Sequence, residues 1–237
     1  VASAHGTVAE QEYLEMLFWL FEAGLPMTGA NLARAMQLSA PTVHEMIGRL
    51  ERDGYVARNA ERMVEFTPEG REHAESIVSR HRMIERFLTD TVGVPWDDVH
   101  EEAEKLEHAM TPRFEAYVRA TVGDAKTCPH GHPIRVHERI DGVPLADCSV
   151  GAAVTILRLE NEAEDLLHYL KESGIELGLE GKVAANDGEN VSVQSDGTTA
   201  TITASVAETV SVVADPSPPP RTALPEQLVL GRERYGR

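Results

Sequence analysis

The chain has 237 residues, enough for one large domain or two to three small ones, and 42% of them are hydrophobic, so it can bury a sizeable core. No apolar run approaches the roughly 18 residues of a membrane span, the first residues lack a basic-then-apolar leader, and two cysteines, Cys128 and Cys148, are too few for a disulfide framework; a cytoplasmic protein with no membrane partner is expected. The 22 basic residues stand against 39 acidic ones, a formal charge of -17, which taken alone argues against a nucleic-acid binder and fits cation binding by clustered carboxylates.

Residues 8–24 predict a first helix, with Leu14, Leu17, Phe18 and Phe21 at helical spacing and Gly24 closing it. Thr28 is placed to cap a second helix carrying Leu32, Ala33 and Met36. Ser39 is placed to cap a third through Val43, Met46, Ile47 and Leu50 to Asp53-Gly54. Two short strands, 55–58 and 63–67, follow around the turn 59–62, and Pro68 opens a long helix to about residue 92. Three helices and a two-stranded ribbon are the plan of a winged helix-turn-helix. Asp97-Asp98 is expected to cap a helix to about 109, and Thr111-Pro112 to start another to about 122. Residues 123–147 read as irregular, with Cys128-Pro-His130-Gly-His132-Pro133 as their turn-rich centre. Beyond Ser149, β-rich runs at 153–158, 181–185, 190–194 and 199–204, with a helix at about 162–173, suggest a small β-barrel, and the proline-led stretch 215–237 reads as a disordered tail.

The chemistry is concentrated in residues 99–110. On a helix, His100, Glu104, Glu107 and His108 share one face beside the apolar stripe Val99, Ala103, Leu106 and Met110. His81 and Glu85 form an i, i+4 pair upstream, and Glu12 and Glu15 an i, i+3 pair in the first helix. Three helices thus present carboxylate or imidazole groups, donors suited to divalent first-row ions. Any one of these pairs alone is most often a solvated helix face; their joint occurrence beside a winged-helix pattern is what points to a metal. Several negative ligands would repel one another without an ion and clamp the helices together around one.

Glu12-Tyr-Leu-Glu15, Ser39-Ala-Pro-Thr-Val43, Glu51-Arg-Asp-Gly-Tyr55, Thr67-Pro-Glu-Gly70, Arg80-His-Arg82 through Glu85-Arg-Phe-Leu88, and His100 through His108 occur in register over about residues 8–142. In these segments the chain resembles the diphtheria-toxin-repressor family of metal-dependent transcriptional regulators, in its manganese-sensing (MntR-like) branch. The resemblance implies a mainly α fold with β. It would comprise a winged helix-turn-helix DNA-binding domain (1–72), a helical metal-binding and dimerisation domain (73–142) and a small FeoA-like β-barrel (143–214), before the tail 215–237. It implies a primary metal cluster of Glu12, Glu15, His81, Glu104, Glu107 and His108 and an ancillary site of His81, Glu85 and His100. The iron-sensing branch has Met at the position of Glu12 and Cys at that of Glu104, so the harder oxygens here favour Mn(II), with Fe(II) possible and Co(II) or Zn(II) as surrogates. Where that branch's barrel donates two ancillary ligands this chain has Ala163 and Leu166, with Glu162, Glu164 and Asp165 adjacent as substitutes. Cys128, His130 and His132 also offer donors for a zinc site, but the segment 128–133 matches a linker turn in the family, and its proline and glycine explain that turn without a metal.

The third helix is the expected reader of DNA. Ser39, Pro41 and Thr42 lie in its first turn, His44 and Glu45 follow, and Arg49, Arg58 and Arg62 are placed for phosphates. The function implied is a homodimeric repressor of a palindromic double-stranded operator, controlling metal homeostasis and switched on when metal fastens the first helix to the helical core. Two rivals are a winged-helix regulator answering to an organic ligand or partner, and a dinuclear metal hydrolase. The hydrolase needs an open coordination position and a substrate cleft, and no nucleophile motif or phosphate loop accompanies the ligands.

Overall fold

The structure, a computed structural model, describes residues 6–218. Helix α1 (Val8–Glu22) starts at a capping box: Thr7 accepts from the Glu10 amide, and the Glu10 carboxylate accepts from the Thr7 amide at 2.6 Å. Helices α2 (Gly29–Ala35) and α3 (Ala40–Arg52) begin at Thr28 and Ser39, each accepting the amide three residues on. Strands β1 (Val56–Arg58) and β2 (Val64–Phe66) pair antiparallel with Val56 opposite Phe66. Leu14, Leu17 and Phe18 of α1 pack with Leu32, Val43, Ile47 and Leu50 in a closed core, the winged helix expected from the spacing.

Helix α4 (Pro68–Phe87) leaves the wing with almost no gap. A Cβ on Gly70 would fall 1.7 Å from the Tyr55 carbonyl oxygen, so only glycine lets the helix lie against the ribbon. A π-helical turn (Leu88–Val92) extends α4 and ends at Gly93, whose φ is +87°. Helices α5 (Val99–Glu107) and α6 (Pro112–Val122) follow; Val99 and Ala103 of α5 pack on Ile84 and Leu88. Asp98 holds the N-cap position of α5 but caps nothing with its side chain. It lies 2.7 Å from His168 Nε2, while Asp97 pairs with the Lys171 ammonium at 2.5 Å. Cationic partners from the C-terminal region have taken both carboxylates away from the backbone amides.

That region contains β3 (Val143–Pro144), β4 (Ala153–Leu159), β5 (Glu180–Asn186), β6 (Asn190–Ser195), β7 (Thr198–Thr203) and β8 (Val210–Asp215), with α7 (Glu164–Glu172) after β4 and α8 (Ala204–Ala207) after β7. All neighbours are antiparallel in the order β3-β8-β4-β5-β6-β7. The order is open at β3 and β7, so among the described residues the expected barrel is an antiparallel sheet without a closing pair. Its buried face (Val154, Ile156, Val183, Val193, Ile202, Val212) packs on Leu166, Leu167 and Leu170 of α7. Strand β8 was not anticipated, yet it lies between β3 and β4. Asp215, the first residue of the expected tail, ends that strand opposite Ala153, and residues 219–237 lie outside the described residues. No helix among the described residues is long and apolar enough to cross a membrane.

Candidate metal centre and DNA-reading face

Two clusters of ligand-type side chains meet where α1, α4 and α5 pack. In the first, Glu15 of α1, His81 of α4 and Glu107 of α5 converge, all nearly inaccessible to solvent. His81 Nδ1 lies 2.9 Å from Glu107 Oε2 and 3.7 Å from Glu15 Oε1. Glu12, Glu104 and His108 line the same small cavity as Glu15 and Glu107, so five of the six expected primary residues face one space, and the sixth, His81, meets it through Glu15 and Glu107. His108 Nε2 is 3.1 Å from Glu107 Oε1, and its Nδ1 is 3.0 Å from Gln11 Oε1. Gln11, which sequence reasoning did not single out, thereby adds a second tie between α1 and the end of α5.

The second cluster holds His81, Glu85 and His100 together with Glu162, contributed by the segment between β4 and α7. His100 Nδ1 lies 2.8 Å from Glu162 Oε2 and 3.1 Å from Glu85 Oε1. Of the three acids weighed as substitutes, Glu162 is the one turned inward, while Glu164 and Asp165 are exposed. The turn read as a linker also enters this cluster. Cys128, His130, Glu85 and Glu162 form a further converging group, with His130 Nδ1 3.3 Å from Glu85 Oε1 and 3.6 Å from Glu162 Oε1. The Cys-x-His-x-His spacing carries the signal, ranked below the linker turn because proline and glycine account for the turn locally.

The residues present fit a divalent cation. Glu85 Oε2 is buried without a hydrogen bond, and Glu15 Oε1, Glu107 Oε1 and His130 Nδ1 are buried with ion-pair contacts but no hydrogen bond of their own, an incompletely satisfied state that an ion would relieve. Burial, then the Glu107 charge, hold the Glu15 carboxyl well above its usual range. Burial opposes a charge on His81, but Glu85 and Glu107 outweigh it and raise the imidazole well above its ordinary value. His100 is raised to about 10 against its burial by Glu162 and Glu85. Burial and Glu85 oppose the Glu162 charge, yet His130, His132 and His100 bring that carboxyl to about 2. Burial pushes the Cys128 thiol up to about 12. The carboxylates around His81, His100 and His130 thus favour a positive charge in this space, which a divalent ion would supply in place of protons.

A buried pair braces the site. Arg82 is ion-paired with Glu22 at the end of α1 and donates to the Pro133 carbonyl at 3.0 Å, tying α1, α4 and the 128–133 turn together. At the other end of α1, Glu10 pairs with Arg49 of α3 at 2.5 Å.

On the face expected to read DNA, Pro41, Thr42, His44 and Glu45 are exposed in the first half of α3, and the Ser39 and Thr42 hydroxyls lie 2.7 Å apart. Two of the expected phosphate contacts already have carboxylate partners: Arg49 has Glu10, and Arg58 has Glu51 at 3.0 Å. Arg62 is exposed at the turn between β1 and β2, with φ +65°.

Comparison with known proteins gives this geometry a lineage. Three family models match in succession: the N-terminal DNA-binding domain of iron-dependent repressors over residues 7–64, their metal-binding and dimerisation domain over 67–135, and the FeoA domain over 143–214. The diphtheria toxin repressor of Corynebacterium glutamicum is 32% identical over 193 residues, covering 76% of this chain and 85% of that protein. The iron-dependent repressor IdeR of Mycobacterium leprae is 36% identical over 122 residues, 52% of this chain and 53% of that protein. The chain thus spans about half the length of several curated relatives it matches, IdeR among them. A solved manganese-dependent transcriptional repressor in complex with manganese superposes with a TM-score of 0.79 at 31% identity, covering 86% of this chain and 99% of that one. These relatives bear the names of repressors, not of enzymes, and with the matched models spanning the winged helix, the helical core and the sheet, the chain belongs to the iron-dependent (diphtheria toxin) repressor family.

Proposed function

We propose that this protein is a homodimeric, metal-dependent DNA-binding transcriptional repressor controlling metal homeostasis, with Mn(II) its favoured ion and Fe(II) the second choice. The observation that carries the reading is the convergence of Glu15, from the helix that cores the winged domain, with His81 and Glu107 of the helical core. A divalent ion converts repulsion among these carboxylates into a clamp on α1, and so on the angle at which α3 is presented. Moving such an equilibrium from 1:99 to 99:1 requires about 5.5 kcal/mol of differential affinity. The oxygen and nitrogen donors of the first cluster suit hard ions. Mn(II) stands low in the usual affinity order, so it is selected by donor type and geometry.

In this reading Ser39, Pro41, Thr42, His44 and Glu45 meet the major groove and Arg62 a flanking phosphate. Phe114 and Tyr117, 49% and 59% exposed on α6, offer an apolar face to a second copy. Two reading helices about 34 Å apart would then engage a palindrome. The test is binding of a labelled candidate palindrome with Mn(II), Fe(II), Co(II), Zn(II) or chelator. Binding that appears only with metal, and is lost in Glu104→Ala while that variant stays dimeric, supports the reading; binding indifferent to chelator refutes it. Glu104→Cys should shift the response from Mn(II) towards softer ions.

A further inference from the structure

His81 faces both clusters. Its Nδ1 looks towards Glu107 and Glu15, and its Nε2 lies 3.2 Å from both Glu85 Oε1 and His100 Nδ1. The ring is 1% exposed and wedged edge-on between Trp19 and His100, with centroids 6.1 and 4.9 Å away, so it cannot swing from one cluster to the other. A neutral imidazole has one lone pair and one N–H. It can bind an ion on one side only while its N–H is donated on the other, and each side supplies a carboxylate acceptor, Glu85 at Nε2 and Glu107 at Nδ1.

We propose that the two clusters compete for His81, so that the ions bind antagonistically through this one ring, and that in the doubly loaded protein the ring belongs to the first cluster through Nδ1. The second assignment follows from what each cluster keeps without it. The first is left with His108 as its only imidazole. The second retains His100 and Glu162 and borders the Cys128 and His130 donors, so it loses less. With Nδ1 bound, Nε2–H donates to Glu85, which orients the ring as carboxylates do behind metal-bound histidines.

The inference rests on the metal-binding reading, and the experiment separates the two. Co(II) is titrated into the full chain, into Glu104→Ala/His108→Ala, into His81→Asn, and into the triple variant. Total uptake and affinity are measured by equilibrium dialysis, and the second cluster's share is the uptake lost when Glu162→Gln is added to each background. With His81 present, the second cluster should bind at least about tenfold more tightly when the first is disabled; by reciprocity the ring carries the same factor in both directions. Without His81 that factor should vanish. A factor that survives in the absence of His81 overturns the proposal, since charge repulsion alone would then explain it, and so does independent binding. A second measurement needs no variant of the ring: the imidazole nitrogen resonances of His81 in the doubly Cd(II)-loaded chain should show metal at Nδ1 alone, and metal at Nε2 or at both nitrogens overturns it. Absence of any Co(II) uptake by the unaltered chain removes the metal-binding reading itself.

Discussion

Replacing Gly131 by alanine tests what holds the sheet domain against the second cluster. Gly131 has φ +91°, and a Cβ there would lie 2.2 Å from the Leu157 oxygen, 2.7 Å from a Leu177 methyl and 2.9 Å from the Arg158 Cα. The first and last are backbone atoms of β4 and cannot turn aside. The turn lies this close because it bonds to the strand: the Leu159 amide donates to the His130 carbonyl at 2.9 Å, and His132 Nε2 lies 2.9 Å from the Leu159 oxygen. A left-handed conformation costs a non-glycine residue about 1–2 kcal/mol, and overpacking a further 1–3 kcal/mol or so. The substitution should therefore destabilise the docked arrangement by about 2–5 kcal/mol. Lifting the turn from β4 relieves the clash at the cost of two hydrogen bonds, each worth about 1 kcal/mol. Since β4 leads directly into Glu162, the same movement draws that carboxylate away from Glu85 and His100. Urea unfolding should show the loss in the transition of the C-terminal sheet, and Cd(II) calorimetry should show the second cluster weakened by tenfold or more with the first unchanged. Wild-type stability together with unchanged Cd(II) binding would refute the idea that this contact docks the sheet.

Glu15→Gln should act with opposite signs in the two metal states. In chelator it removes a buried carboxylate held against Glu107 and should stabilise the chain by roughly 1–3 kcal/mol, whereas the rise in melting temperature produced by Mn(II) should disappear; a lower melting temperature in chelator contradicts the fit of the site to a cation. Glu22→Gln, which leaves the Arg82 guanidinium buried and unpaired, should cost about 3–5 kcal/mol at neutral pH. Burial opposes the Glu22 charge, but Arg82 prevails and lowers the carboxyl below its ordinary 4.5. The contribution is therefore complete above that value and lost as pH falls through the lowered one, so wild type and variant should converge in acid denaturation series. Arg62→Ala should weaken operator binding about equally across sequences and reduce the salt slope by about one; a changed base preference with an unchanged slope would move Arg62 from phosphate to base contact.

What the sequence disclosed is what short-range chemistry decides. Thr28 and Ser39 cap the helices they are expected to cap, and Thr111 caps the one it is expected to start, because the acceptor and the amide lie three residues apart. The same-face spacing of His100, Glu104, Glu107 and His108 survives because it depends only on helical pitch. The misreadings all involve partners distant in the chain. Asp98 fails as a cap because His168, 70 residues on, binds it first. Strand β8 is ordered by β3 and β4 and, standing just before a proline run, carried no hairpin signal of its own. Glu162, Glu164 and Asp165 were indistinguishable because only the docking of the sheet on the helical core decides which one turns inward. Cys128 and His130 were set aside for the same reason, since their partners Glu85 and Glu162 come from opposite sides of the domain junction.

The acidic composition taken alone argues against DNA, but the location of the charges changes what it implies. From α2 to the end of the wing, residues 29–66, five arginines meet five acids, so the reading elements are neutral and the entire excess of -17 lies elsewhere. Two of those arginines are further committed, Arg49 to Glu10 and Arg58 to Glu51. A surface of this kind has little non-specific affinity to offer, because that term comes from uncompensated cations releasing counterions. The acid-rich remainder, which carries the whole excess of negative charge, disfavours approach of the duplex to the rest of the molecule. In the proposed dimer, binding would then draw on the fit of two reading heads to two half-sites, a fit that depends on α1 being held in place. A protein with a basic footprint would stay on DNA whatever the state of its switch; under the proposed mechanism this charge distribution leaves the clamp on α1 as the step that decides occupancy.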